Sequence, residues 1–136
     1  MGFSDFVKVL SDAPIEFEHL KVAQLAQAIL ESGRGSSDLF ALHKNPFGMK
    51  YRPEMAEFAQ PVAYTDHAGE MDDYCEFESY ENAVLGYWRF IDRDPYSGWR
   101  HSVETPADYI RFIAFAGYVG GPHASIPDGR KDADRK

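Results

Sequence analysis

Cysteine is almost absent: Cys75 is the only one in 136 residues. That excludes an internal disulfide framework and any multi-cysteine zinc or iron–sulfur centre within one chain. Long apolar runs are missing too, and no segment approaches the roughly 18 apolar residues of a membrane span. The opening stretch, MGFSDFVKVLSDAP, lacks a basic region followed by an apolar run and a small-residue cleavage site, so no Sec-type export signal is expected. Cations are missing from the middle of the chain. Between Arg52 and Arg89 there is no Lys or Arg, while Glu54, Glu57, Asp66, Glu70, Asp72, Asp73, Glu76, Glu78 and Glu81 all fall there. Overall, 14 Lys and Arg stand against 22 Asp and Glu, a net charge of −8. Phosphate-backbone binding needs clustered cations, so neither a nucleic acid nor an anionic membrane is an expected partner.

Metal motifs are also lacking. The five histidines, His19, His43, His67, His101 and His123, are scattered without an H-E-x-x-H pair. The acids from Asp66 to Asp73 do not have the spacing of a calcium loop, and no metal or other cofactor is expected. Cys75 lies among acids that disfavour its thiolate, which makes it a poor nucleophile.

What is present is a globular composition, 44% hydrophobic and 26% charged, of a length that fits one domain. That domain is expected over residues 1–124, with residues 125–136 as a polar, disordered tail. Residues 4–12 read as a short helix capped by Ser4. From about Ile15 to Glu31, Val22, Leu25, Ala26, Ile29 and Leu30 recur with the period of an amphipathic helix, and the spacing predicts that this stripe is buried. Gly33 and Gly35 end it. Ser36 or Ser37 caps a further short helix that stops before Asn45-Pro46. Residues 60–65 and 74–77 around a Gly69-containing turn predict a β-hairpin. A helix follows from Ser79 to about Arg93, and a last one begins with Thr105 as N-cap and Pro106 at the first helical position, ending at Gly117. The order predicts an α+β fold, mainly helical with a small β-lobe.

Glu31 falls two residues before the first helix-ending glycine. A carboxylate there sits near the negative end of the helix dipole, where its charged form is disfavoured and its pKa is expected to rise. A carboxylic acid that keeps its proton near neutral pH is what a glycosidase needs to protonate a leaving sugar oxygen. Spacing alone is equally met by a surface glutamate that merely closes a helix.

The run Ala26-Gln27-Ala28-Ile29-Leu30-Glu31-Ser32-Gly33-Arg34-Gly35-Ser36-Ser37, followed by Asn45-Pro46-Phe47-Gly48-Met49-Lys50, resembles the signature of the glucosaminidase domain, glycoside hydrolase family 73. These are bacterial endo-β-N-acetylglucosaminidases that cut peptidoglycan. Ser79-Tyr80-Glu81-Asn82-Ala83, Gly86-Tyr87-Trp88-Arg89-Phe90 and Gly117-Tyr118 extend the likeness. The resemblance implies a lysozyme-like fold in which helices and a β-lobe wall a glycan cleft. It implies Glu31 as general acid, and Tyr118 as a group that orients the substrate N-acetyl or stabilises positive charge.

A second carboxylate is expected on the hairpin, as Asp66 or Glu70. It would activate water if about 6.5–9.5 Å of space separates it from Glu31; alternatively the substrate's own N-acetyl oxygen attacks and no protein base is needed. Asn45 is expected to fix backbone and Phe47 to pack beneath the cleft. Tyr51, Tyr64, Tyr96 and Trp99 are candidate sugar platforms, the last two as exposed loop residues, whereas Trp88 is expected in the core. The sequence departs from the family at Pro46, at Val119-Gly120-Gly121-Pro122-His123-Ala124 and in lacking the usual closing helix.

The expected activity is therefore hydrolysis of the β-1,4 bond between N-acetylglucosamine and N-acetylmuramic acid. The alternatives are a muramidase or lytic transglycosylase of the same fold, or a non-catalytic peptidoglycan-binding module. Peptidoglycan lies outside the cytoplasm, so delivery is expected by a non-Sec route, a phage particle or a larger parent chain.

Overall fold

The structure is a computed structural model that describes residues 2–118. The expected polar tail and the departures from Val119 to Ala124 lie outside these residues. The described fold is α+β: five α-helices and one two-stranded antiparallel hairpin, in the order α1 (Phe3–Asp12), α2 (Lys21–Ser32), α3 (Asp38–His43), β1 (Ala59–Thr65), β2 (Met71–Phe77), α4 (Tyr80–Ile91) and α5 (Pro106–Phe115). Short 3-10 turns precede α2 at Glu18–Leu20, β1 at Pro53–Met55 and α5 at Trp99–Ser102. The chain divides into two compact units, Met1–Phe90 and Ile91–Lys136.

In the first unit, aromatic rings from α1, α3, α4 and the loop after α3 meet. Phe6 lies edge-on to Phe40, Phe47 and Tyr80, and Phe40 stacks on Tyr80 with centroids 5.6 Å apart. Such edge and offset contacts suit the ring quadrupoles, which resist a face-to-face sandwich. Phe47 continues the cluster to Tyr87 of α4, itself fully buried.

Capping residues set the helix starts. The Ser37 hydroxyl accepts from the Phe40 N–H, Ser79 from Asn82 N–H and Thr105 from Asp108 N–H, each satisfying an otherwise orphaned donor. At α1 the expected Ser4 cap is corrected. The Asp5 carboxylate accepts the Gly2 N–H at 2.8 Å, and the helix starts at Phe3. The helix expected from Ile15 begins only at Lys21.

The face that α2 buries is a larger correction. The apolar stripe expected inside is substantially outside: Val22 is 59% and Leu30 48% exposed. Ala23, Gln24, Gln27, Ala28 and Ser32 are buried instead. Polar groups go inside when they are paired. The Gln24 amide donates to the Val84 carbonyl at 3.0 Å and accepts from the Trp88 indole N–H at 2.9 Å. Ser32 donates to the Ala28 carbonyl and accepts from Gly35 N–H. With 3.6 residues per turn, Glu31 lies about 180° around the helix from the centre of the Val22–Leu30 stripe. Burying that stripe would have turned Glu31 to solvent. Burying the opposite face brings it to the edge of the interior.

The hairpin register pairs Ala59 with Phe77, Val62 with Tyr74 and Thr65 with Met71. Val62, Tyr64, Asp72 and Tyr74 therefore share one face, because side chains alternate along a strand and opposed residues point the same way. Phe77, on the other face, packs where α4 carries Gly86; a Cβ there would lie 2.8 Å from the Phe77 ring.

In the second unit, α5 packs against the turn Trp99–Ser102, with Tyr109 and Ile113 buried. The Trp99 ring is 5.9 Å from that of Tyr109, in an edge contact.

Candidate active site

The segment after α3 forms a tight cradle around one side chain. Asn45 is 1% exposed. Its Oδ1 accepts from the N–H groups of Phe47 and Met49 at 3.1 and 3.3 Å. Its Nδ2 donates to the carbonyls of Met49 and Cys75 at 3.0 and 2.9 Å. One amide thus folds the 45–49 turn and ties it to β2. Beyond it the chain runs along β2 as a partial third strand. Cys75 N–H donates to the Met49 carbonyl, Tyr51 N–H to the Asp73 carbonyl, and Lys50 pairs with Tyr74.

Gly48 sits at the tip of this turn with φ +64°, and a Cβ there would lie 3.2 Å from Glu31 Oε1. The carboxylate of Glu31, half-buried near the end of α2, therefore rests against the bare backbone of Gly48. Gly48→Ala is expected to cost about 1–2 kcal/mol through its left-handed backbone. It should also lower turnover about tenfold by displacing the carboxylate. Gly69 is the control: φ is +85° with nothing within 4 Å of a Cβ, so its alanine variant should lose stability and keep turnover. Thermal melts and initial rates check both.

The hairpin contributes the facing groups. Tyr74 is 7% exposed, and its ring meets that of Tyr64 edge-on at 5.4 Å. Burial, and after it the charges of Asp66 and Asp72, the Tyr64 phenol and the Glu31 charge, push the Tyr74 phenol above its ordinary value. Its hydroxyl is therefore a neutral donor at physiological pH. Tyr74 feels both Glu31 and Asp66, and nothing in the residues around it marks it as a site group. Its signal was its place on the Tyr64 face of the hairpin, legible only once the register was known.

The other expected site residues divide between the two units. In the first, Asp66 Oδ1 accepts the N–H groups of Ala68 and Glu70, both at 2.9 Å, so one of its oxygens closes the hairpin turn. Glu70 is exposed in that turn. Tyr51 and Tyr64 are half-buried. Asn45 and Phe47 are buried and do not face a sugar: Asn45 fixes the turn that carries Gly48, and Phe47 packs on Tyr87.

In the second unit, the exposed role expected of Tyr96 and Trp99 is corrected. Trp99 is 2% exposed; its indole N–H donates to Asp92 at 2.8 Å, and Arg100 covers the ring at 4.6 Å. Tyr96 and Tyr118 are both buried, with rings 5.7 Å apart. The Pro95–Gly98 loop ends in a helical turn that packs on α5, which is why its aromatics point inward. Trp88 shows the converse: expected in the core, it is half-buried, with its indole N–H held by Gln24.

Among the described residues, no group of three or more His, Cys, Asp or Glu is placed to hold a metal ion. The carboxyl of Glu31, seated against the bare backbone of Gly48 and within electrostatic reach of the Tyr74 phenol, is a group suited to proton transfer. When the chain is compared with known proteins, residues 10–130 match the family model described as Glucosaminidase: Mannosyl-glycoprotein endo-beta-N-acetylglucosaminidase. No curated protein and no solved structure gives a significant match.

Proposed function

The chain belongs to the glucosaminidase family, and from that premise we propose that it is a peptidoglycan hydrolase cleaving the β-1,4 bond on the reducing side of N-acetylglucosamine. Glu31 is the general acid: it protonates the glycosidic oxygen as the bond breaks, and a positioned proton donor of this kind contributes about 10²–10⁴-fold to rate. The observation that supports this most directly is the seat of Glu31. It lies at the end of α2, on the face turned inward, with Oε1 against Gly48 and within electrostatic reach of Tyr74 on the hairpin.

For the second half of the reaction, Asp66 fits the base role better than Glu70. Asp66 keeps one carboxylate oxygen outside the turn bonds and acts electrostatically on Tyr74. Attack by the substrate's own acetamido oxygen needs neither. Tyr51 and Tyr64, both half-buried in the first unit, remain proposed contacts to the sugar.

Muropeptide mass spectrometry tests the bond. Digested sacculi should yield fragments with N-acetylglucosamine at the reducing end. Reducing-end or anhydro-muramic acid would instead identify a muramidase or a lytic transglycosylase, and binding without clearance would identify a binding module. The family's description also names mannosyl-glycoproteins, whose cores carry a β-1,4 bond of N-acetylglucosamine. Release of glycans from such a glycoprotein, with sacculi left intact, would transfer the activity to that substrate.

A further inference from the structure

The hairpin brings to the site a group that the family signature quoted above does not contain. Tyr74 is held from three sides: Val62 opposite it on β1, Lys50 opposite it on the other edge, and the Tyr64 ring against its own. The turn bearing Gly48 is fastened to β2 beside it, through Asn45 to the Cys75 carbonyl and through Cys75 N–H to Met49. Its ring is buried, yet its hydroxyl is not among the enclosed unpaired atoms and has no hydrogen-bond partner among the described residues. A tyrosine fixed along its ring, with its hydroxyl accessible and unpaired among the described residues, is built to meet something from outside.

We propose that the Tyr74 hydroxyl contacts the substrate, donating a hydrogen bond to the acetamido carbonyl oxygen of the N-acetylglucosamine whose glycosidic bond Glu31 protonates. This rests on the glycosidase reading of Glu31. The chemistry selects the acceptor. Asp66, Asp72 and Glu31 surround the phenol and keep it a neutral donor, and an acidic surround favours an uncharged acceptor over an anionic one. The amide carbonyl is the strongest neutral acceptor on the sugar and hangs from the carbon next to the anomeric centre. Holding it fixes the sugar relative to Glu31, and aims the acetamido oxygen at the anomeric carbon wherever it serves as nucleophile.

Tyr74→Phe keeps the ring and removes only the hydroxyl. It should melt within about 2 °C of wild type and lose about 10- to 100-fold in kcat/KM on N-acetylated glycan. On glycan whose glucosamine residues have been de-N-acetylated, the variant and wild type should be equally slow, since the acceptor is gone. Turnover within twofold of wild type on the acetylated substrate, or an equal proportional loss on both substrates, overturns the contact. Glu31→Gln, run alongside, keeps the two readings apart. An inactive Glu31→Gln with a fully active Tyr74→Phe removes the tyrosine and leaves the glycosidase, whereas an active Glu31→Gln removes the glycosidase reading itself.

Discussion

Replacement of Glu31 by glutamine is expected to lower glycan cleavage about a thousandfold or more while leaving the fold and glycan binding intact. The two side chains are nearly isosteric, so the contact with Gly48 and the half-buried seat at the end of α2 survive the change. The amide carries no acidic proton, and the step that needs one loses its donor; losses of this kind run to about 10²–10⁴. Thermal melting and sacculus pull-down should match wild type, while turbidity clearing and reducing-end release collapse. Clearing at the wild-type rate would take Glu31 out of the mechanism. Glu31→Ala is the less informative variant, because it also opens a void beside Gly48.

Replacement of Asn45 by alanine is expected to be the most damaging single change to stability in the first unit. The side chain makes four hydrogen bonds at 1% exposure. Truncation takes the acceptor from the Phe47 and Met49 N–H groups and the amide donor from the Cys75 carbonyl, while the Met49 carbonyl keeps the Cys75 N–H; each buried group left unpaired costs about 1–3 kcal/mol before relaxation and water entry. A net loss of about 3–5 kcal/mol follows, about 10 °C or more in melting temperature for a chain of this size. Asn45→Asp should fare no better. It keeps the acceptor for Phe47 and Met49 but sets a carboxylate against the Met49 and Cys75 carbonyls. Both variants should also lose turnover at temperatures where they remain folded, since the turn they unfasten carries Gly48 beneath Glu31. Urea titration with parallel rate measurements checks this, and a loss below about 1 kcal/mol in either variant contradicts the account.

The hairpin, the caps at Ser37, Ser79 and Thr105, and the end of α2 at Gly33 were legible because each rests on local chemistry. A hydroxyl three residues before an orphan N–H, or alternation around a Gly-bearing turn, needs no distant partner to be read. The fixing role of Asn45 was legible from the family motif. Its own residues do not announce it, since two of its four bonds reach Met49 and Cys75 carbonyls, the latter 30 residues away. Trp99, expected exposed, is buried, and Trp88, expected in the core, is half-buried, for a related reason. Loop position and helix periodicity say where a side chain starts, whereas the partners of their indole N–H groups, Gln24 and Asp92, decide where it ends.

By itself the sequence determined the family, the α+β class, the order of the elements and the presence of a glutamate at the end of the second helix. It did not determine which way that glutamate faces. The hydrophobic period of α2 points the Val22–Leu30 side inward and Glu31 outward. The folded chain reverses this, because Gln24 finds Val84 and Trp88, and because Ala23 and Ala28 are small enough for close packing. Hydrophobicity is a property of each residue taken alone, but the burial of a polar side chain depends on a partner, and partners 60 or more residues away exist only in the tertiary structure.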